Sequence, residues 1–363
     1  MPGGPARTGS LHLPLAGTPV QALPDPGPLR RPGGGPVQRL GLSPFHRLRP
    51  GPGTVGIRGI VKIAIAGPGA MGCLFATYLA EAGHQVALLD HDRQRARRLA
   101  ENGITVEGIR GRHRARPAVT SDAASVGAVD LFMVWVKAYH TADAVELHRA
   151  AVGPDTVIFT AQNGLGNPQR VLDKLPAASV VAGTTTVGAN LRAEGRVHHA
   201  GEGDTVIGAA SPGAAAALDG IASLLGDAGF PTTVATDIAG AVWRKVVVNA
   251  GINPLTAILG VENGRLLELA PARRLMEELA REAVVVASGQ GVELDEQEAV
   301  ALVVRVAERT AANRSSMLQD ISAGRRTEID AINGAIAALG PAPVNRAVAE
   351  LVRARERLAG GRD

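Results

Sequence analysis

Apolar residues in this chain follow two rhythms. From Val61 to about residue 236, short unbroken aliphatic runs alternate with stretches of helical spacing, and from Asp237 onward the helical spacing takes over. Val61–Ala66, Gln85–Leu89, Asp130–Val136, Thr156–Ala161 and Ser179–Gly183 are compact and apolar on both faces, as strands buried inside a parallel sheet must be. Arg196–His199 and Thr205–Ala209 read as two further strands, and Ala214–Ala228 as a helix. The alternation predicts an α/β fold: a Rossmann-type doubly wound sheet over residues 61–236, followed by a mainly helical C-terminal domain over 237–360.

Residues 1–60 follow neither rhythm. They contain 13 Gly and 12 Pro, seven Arg and a single acid, Asp25. Such a stretch cannot bury enough apolar surface to offset its ordering entropy, so it is expected to be a disordered tail. Pro14, Gly17 and Pro19 interrupt the only apolar run that could serve as a secretory signal. An organellar transit peptide would share its Arg-rich, acid-poor composition but would also be amphipathic and Ser-rich, so a dispensable extension or an over-extended start is the expectation, with functional reasoning beginning at Val61. The tail also explains the basic balance of the chain. Beyond residue 60 there are 31 basic and 33 acidic side chains, so the body offers no footprint for nucleic acid. A single Cys excludes a disulfide scaffold. The uncharged run Ile63–Ala80 is cut by glycines into a strand and a helix, each too short for a bilayer. The expectation is a cytoplasmic protein without a membrane or nucleic-acid partner.

The first strand runs directly into Gly67-Pro68-Gly69-Ala70-Met71-Gly72 and then into an apolar helix. In that context the spacing is the dinucleotide-binding turn. Gly67 permits the tight turn, Gly69 lets a pyrophosphate approach the backbone, and Gly72 lets helix pack on strand. The helix N-terminus supplies free N–H groups to the anion. Asp90 closes the second strand, 18 residues past Gly72, where a carboxylate holds the adenosine ribose. Lys137 and Asn163 close later strands, at the sheet edge where ligands bind such folds, and are candidates for cofactor or substrate contact.

Lysine is scarce: four residues against 34 Arg. A Lys retained in such a composition is a candidate for proton chemistry, which Arg cannot perform near neutral pH. Lys245 lies in an apolar helical stretch with Asn249 and Asn253 at i, i+4 and i+8, which places all three on one face. That polar stripe suits a small anionic substrate carrying a carbonyl; an internal amide network is the alternative. Asn313–Asp320 reads as a loop opening a short helix. Arg325–Gly334 opens another, capped by Thr327 or a residue before it; Glu328 taken alone would be a first-turn acid, but the sequence offers no independent way to choose.

These motifs together resemble the ketopantoate reductase (2-dehydropantoate 2-reductase) family over about residues 61–356. The glycine turn is generic, whereas Trp243-Arg244-Lys245 through Asn253-Pro254-Leu255-Thr256-Ala257, Ser315–Asp320, and Thr327–Asp330 with Ile332-Asn333-Gly334 are specific. The resemblance implies reduction of 2-dehydropantoate to (R)-pantoate, toward pantothenate and coenzyme A. It implies Lys245 as general acid and Glu328 as the acid holding substrate and lysine in place. Asn163, Asn249, Asn253, Asn263 and Ser316 are implied to line the substrate pocket, with Lys137 and Asn163 near the nicotinamide. Family habit favours NADP(H). Asp90 would repel a 2′-phosphate and suits NAD(H), although Arg93 could swing in to compensate. A paralogous reductase of another small 2-keto acid is the alternative, because the Leu339–Pro343 connection is short enough to alter one pocket wall. A homodimer through the helical domain is expected, and no bound metal. His198 and His199, adjacent on a strand, face opposite ways and make a poor metal pair.

Overall fold

The computed structural model describes residues 59–360, so the expectation of a disordered tail falls outside the described residues except at its last two positions. Among the described residues the strands are β1 Lys62–Ala66, β2 Gln85–Leu89, β3 Ile104–Gly108, β4 Gly111–Ala115, β5 Ala118–Thr120 and β6 Leu131–Val134. They continue with β7 Val157–Thr160, β8 Ser179–Thr185, β9 Gly188–Ala193, β10 Arg196–Gly201, β11 Thr205–Ala209 and β12 Thr232–Val234. Eight of them form one sheet in the order β12-β11-β8-β7-β6-β1-β2-β5. Every neighbouring pair in it is parallel except β8 with β11. The central strands are the ones read from the apolar runs. β6 and β7 are wholly buried, and β6 lies in register with β1 through Ala64↔Phe132 and Ile65↔Met133.

A second sheet, β4-β3-β10-β9, is mostly absent from the sequence reading, which assigns a strand only to Arg196–His199. Its strand β4 is Gly-Arg-His-Arg-Ala, polar and largely exposed, with no apolar pattern to announce it. The second sheet packs on the helix Ala70–Glu81, whose residues Gly72–Leu79 are all buried. That helix is apolar on every side because it lies between two sheets. Phe75 anchors it, stacked on Phe230 at 4.0 Å between ring centroids and tilted against Trp135 at 4.7 Å. Each such pair contributes about 0.5–1.5 kcal/mol beyond its buried area. Cys73 is fully enclosed and burial pushes its thiol up to about 12, which suits a small core residue. His199 is buried with Nδ1 3.0 Å from the Tyr78 hydroxyl, while His198 is partly exposed.

The helical half is organised around the long helix Ile238–Leu259. Asp237 caps it by accepting from Gly240 N at 3.0 Å, and Gly260 ends it at φ 70°. The helices Ala270–Gly289, Glu296–Arg309, Ser316–Ser322 and Pro343–Leu358 pack around it. Trp243, Val247, Met276, Leu279, Val303 and Val352 share the resulting core. One expectation is corrected here. The helix read from about Thr327 begins at Asn333, and Ile329–Ala331 form only a 3₁₀ turn. Thr327 Oγ1 does accept from Ile329 N at 3.1 Å, but Glu328 is no first-turn acid, because its carboxylate reaches across to another part of the chain. Among the described residues no helix is long and apolar enough to cross a membrane.

Candidate active site

The strand order β8-β7-β6-β1 brings four sequence-distant segments to one edge: Thr185, Asn163, Lys137 and Gly67. At Gly67 the backbone turns with φ 101°, and a Cβ there would lie 2.8 Å from Val136 Cγ1. A Cβ on Gly72 would lie 2.0 Å from the Gly67 carbonyl oxygen. Those two glycines are required by the protein's own packing. Gly69 is different. Its φ is −79°, open to any residue, and a Cβ would meet nothing within 4 Å. It stands at the N-cap of Ala70–Glu81 with no side-chain cap and no acid in the first turn. That is a cradle kept open beside free N–H groups, and it fits a pyrophosphate.

Asp90 sits beside this turn, but its side chain has no exposed surface. Arg95 donates through Nε to Oδ2 and through Nη2 to Oδ1, both at 2.5 Å, and Asp92 N donates to Oδ1 at 3.0 Å. Arg95 is therefore the cation that neutralises Asp90. Asp92 caps the helix Arg93–Asn102, and this start leaves Arg93 exposed while Arg95 lies against the strand end.

Glu328 gathers three groups from the sheet edge. Ala138 N donates to Oε1 at 3.0 Å, Asn163 Nδ2 donates to Oε2 at 3.2 Å, and Lys137 Nζ lies 3.7 Å from Oε2. Gly164 makes this approach possible. At φ 87° it presses on Ala331, where a Cβ would be 2.5 Å from the carbonyl oxygen, and Leu165 N donates to that oxygen at 2.8 Å. Lys137 also donates to Asp320 Oδ2 at 2.6 Å, and Asp320 Oδ1 accepts from Arg325 Nε and Nη2. Burial lowers the pKa of Lys137, but Glu328 and Asp320 outweigh it and the net shift is upward. This lysine stays charged.

Lys245 lies in the opposite regime. Its ammonium donates to the Thr185 carbonyl at 2.7 Å, and desolvation pushes its pKa down to about 8, with Glu328 opposing the drop. A lysine near neutrality can hold a proton and release it. Asn249 and Asn253 follow it along the same helix face, Asn249 partly exposed and Asn253 buried. Ser316 is exposed at the start of its helix, which carries the buried Asp320 near its other end. Asn263 is buried in the loop after the long helix. Its Nδ2 donates to Thr310 Oγ1 at 2.9 Å and its backbone N to Asn313 O, and only its buried Oδ1 lacks a partner.

The sequence reading missed Asp320, Thr185 and Arg95. Asp320 closes the Ser315–Asp320 motif and was in view; Thr185 acts through its backbone carbonyl, which leaves no signal in residue identity. Among the described residues no group of three or more His, Cys, Asp or Glu side chains is placed to hold a metal ion.

Comparison with known proteins supplies the context for this arrangement. The profile for ketopantoate reductase PanE/ApbA matches residues 63–212, and that for its C-terminal part matches residues 237–356. A 2-dehydropantoate 2-reductase of Halobacterium salinarum is 39% identical over 304 residues, covering 82% of this chain and 99% of that protein. A PanE/ApbA family ketopantoate reductase from Ralstonia eutropha superposes with TM-score 0.74 at 31% identity, over 82% of this chain and 99% of that one. D-mandelate dehydrogenase, solved with NADH and anilino(oxo)acetate, superposes with TM-score 0.79 at 28% identity, over 83% and 100%. With both halves matched in order and the whole length of its relatives covered, the chain belongs to the ketopantoate reductase family.

Proposed function

We propose that the protein reduces 2-dehydropantoate to (R)-pantoate with NADPH, Lys245 giving the proton. The observation that carries this reading is the contrast between the two lysines. Lys137 is held charged by two carboxylates, while Lys245 is desolvated to a pKa of about 8. The first suits fixed electrostatic support, the second a general acid.

The glycine turn would hold the pyrophosphate, and Lys137 and Asn163 would lie toward the nicotinamide, which when bound supplies the hydride. Hydride addition to a ketone carbon builds negative charge on oxygen. The Lys245 ammonium stabilises that charge and quenches it by passing on a proton. The Thr185 carbonyl fixes the direction of the ammonium beforehand. Glu328 keeps the Ala138 and Asn163 segments in register with the helical half. Asn249 and Asn253 supply amides for the carboxylate and hydroxyl of the substrate.

For the cofactor, the enclosure of Asp90 supports NADPH. Ribose hydroxyls cannot reach that carboxylate without displacing the Arg95 guanidinium. The free Nη edge of Arg95 and the exposed Arg93 leave donors for a 2′-phosphate. The likeness to D-mandelate dehydrogenase favours a second reading: the same machinery working on another small 2-keto acid.

Steady-state oxidation of NADPH and of NADH, run in parallel with 2-dehydropantoate, separates these readings. Turnover with a preference for NADPH is expected. Faster turnover with NADH would refute the cofactor assignment. No turnover with either, in a folded protein that binds dinucleotide, would move the substrate to a panel of other 2-keto acids.

A further inference from the structure

The long helix continues through Pro254 for another five residues. A proline inside a helix lacks the N–H that would bond the carbonyl four residues earlier, and its ring crowds that carbonyl. The carbonyl here belongs to Ala250, which is fully buried, so water cannot serve in place of the missing donor. Asn333 Nδ2 donates to it at 3.1 Å.

We propose that Asn333 is a positioning residue for the substrate-facing stripe: it returns to Ala250 the donor that Pro254 removes, and so fixes the turn that carries Asn249 and Asn253. Those two asparagines immediately precede Ala250 and Pro254. The direction in which the Ala250 carbonyl is held therefore sets where both amides point.

Asn333 is itself held tightly. It is fully buried, and Nδ2 also donates to Asn345 Oδ1 at 2.9 Å. Asn345 Nδ2 donates to Leu279 O at 3.1 Å and to Glu282 Oε2 at 2.9 Å. The Glu282 carboxylate accepts from Val344 N and Asn345 N at the start of Pro343–Leu358. Residues of three other helices are thus linked to one carbonyl of the long helix. Both amide hydrogens of Asn333 are committed, so its acceptor end could not replace its donor end without breaking two bonds. The naming of Asn249 and Asn253 as substrate-facing rests on the proposed function; the exchange of donors does not.

The test is a double-mutant cycle on the full chain with Asn333→Ala and Pro254→Ala, followed by urea unfolding and by kinetics. With Pro254 in place, Asn333→Ala should weaken the folding equilibrium about 10- to 100-fold, the usual effect of orphaning a buried carbonyl. Combined with Pro254→Ala, the same substitution should cost several-fold less, because the alanine then donates its own N–H. Equal losses in both backgrounds would overturn the donor exchange. Asn333→Ala should also raise KM for the keto acid about tenfold or more while leaving the Kd for NADPH within about twofold, reflecting the lost alignment of the stripe alone. A parallel loss of both would overturn the positioning role and leave a general structural one. If Asn333→Ala does not fold, Asn333→Leu, which nearly keeps the volume and removes the donor, replaces it in the cycle. A wild-type protein that reduces no 2-keto acid would refute the proposed activity, and the unfolding cycle would still decide the exchange of donors.

Discussion

Along the ends of β8, β7, β6 and β1 the protein offers much of its chemistry through backbone: the open turn at Gly69, the N–H of Ala138, the carbonyl of Thr185. Across from that edge the helical half offers side chains: Lys245, Asn249, Glu328 and Asp320. The first surface is built by neighbouring strands that deliver their ends in order. The second is assembled by packing, from residues up to 83 positions apart, as when Glu328 and Lys245 act on one another. A backbone surface tolerates changes of side chain and fails when a Cβ intrudes. A side-chain surface fails at single residues and leaves the fold standing.

That contrast breaks most sharply at Lys245. Lys245→Ala should lower turnover about 10²- to 10⁴-fold, the usual contribution of general acid catalysis, with dinucleotide Kd unchanged. Equal loss of turnover and of cofactor binding would refute its role as the acid. The wild-type pH profile sharpens the same point. With Lys245 as the acid, the reaction would consume its protonated form, so the rate is expected to level off below the Lys245 pKa and to fall about tenfold per pH unit above about 8. A profile flat to pH 10 with chemistry rate-limiting would sink the assignment.

The backbone side is probed by a pair of substitutions that look alike on paper. Gly72→Ala drives a Cβ into the Gly67 carbonyl and should cost roughly 1–3 kcal/mol or more of stability, read in urea unfolding. Gly69→Ala meets open space, so stability should hold within about 0.5 kcal/mol while dinucleotide affinity falls. Unchanged dinucleotide affinity in Gly69→Ala would show that the open cradle is not where a pyrophosphate rests. The smallest effect is expected at the other end of the composition scale. Removing residues 1–60 should leave both the unfolding midpoint and turnover unchanged, and a large drop in either would overturn the reading of the tail as dispensable.

How much of this was legible in the sequence follows the same division. The central strands and the glycine turn were readable because each is a local pattern: a short apolar run, then three glycines at fixed spacing. The strands β3, β4 and β9 were not, since they lie in short local hairpins whose residues are largely polar or half-exposed, with no unbroken apolar run to mark them. Lys245, Asn249 and Asn253 were legible as a stripe because one helix carries all three. Glu328 could not be assigned from its own neighbours, because its partners, Ala138 and Asn163, lie far away in the chain. The pairing of Arg95 with Asp90 was not legible either, because the start of a helix decides which of its arginines faces the strand.

The chain has two tryptophans, Trp135 and Trp243, each two residues before one of the two contrasting lysines. Trp135 rests on Phe75 at the strand edge, Trp243 is enclosed in the helical core, and neither indole N–H has a protein partner. Each half therefore carries its own optical reporter. With Trp135→Phe or Trp243→Phe, the remaining indole emission would follow one half alone, so a denaturant titration could show whether the sheet and the helices come apart together or in turn.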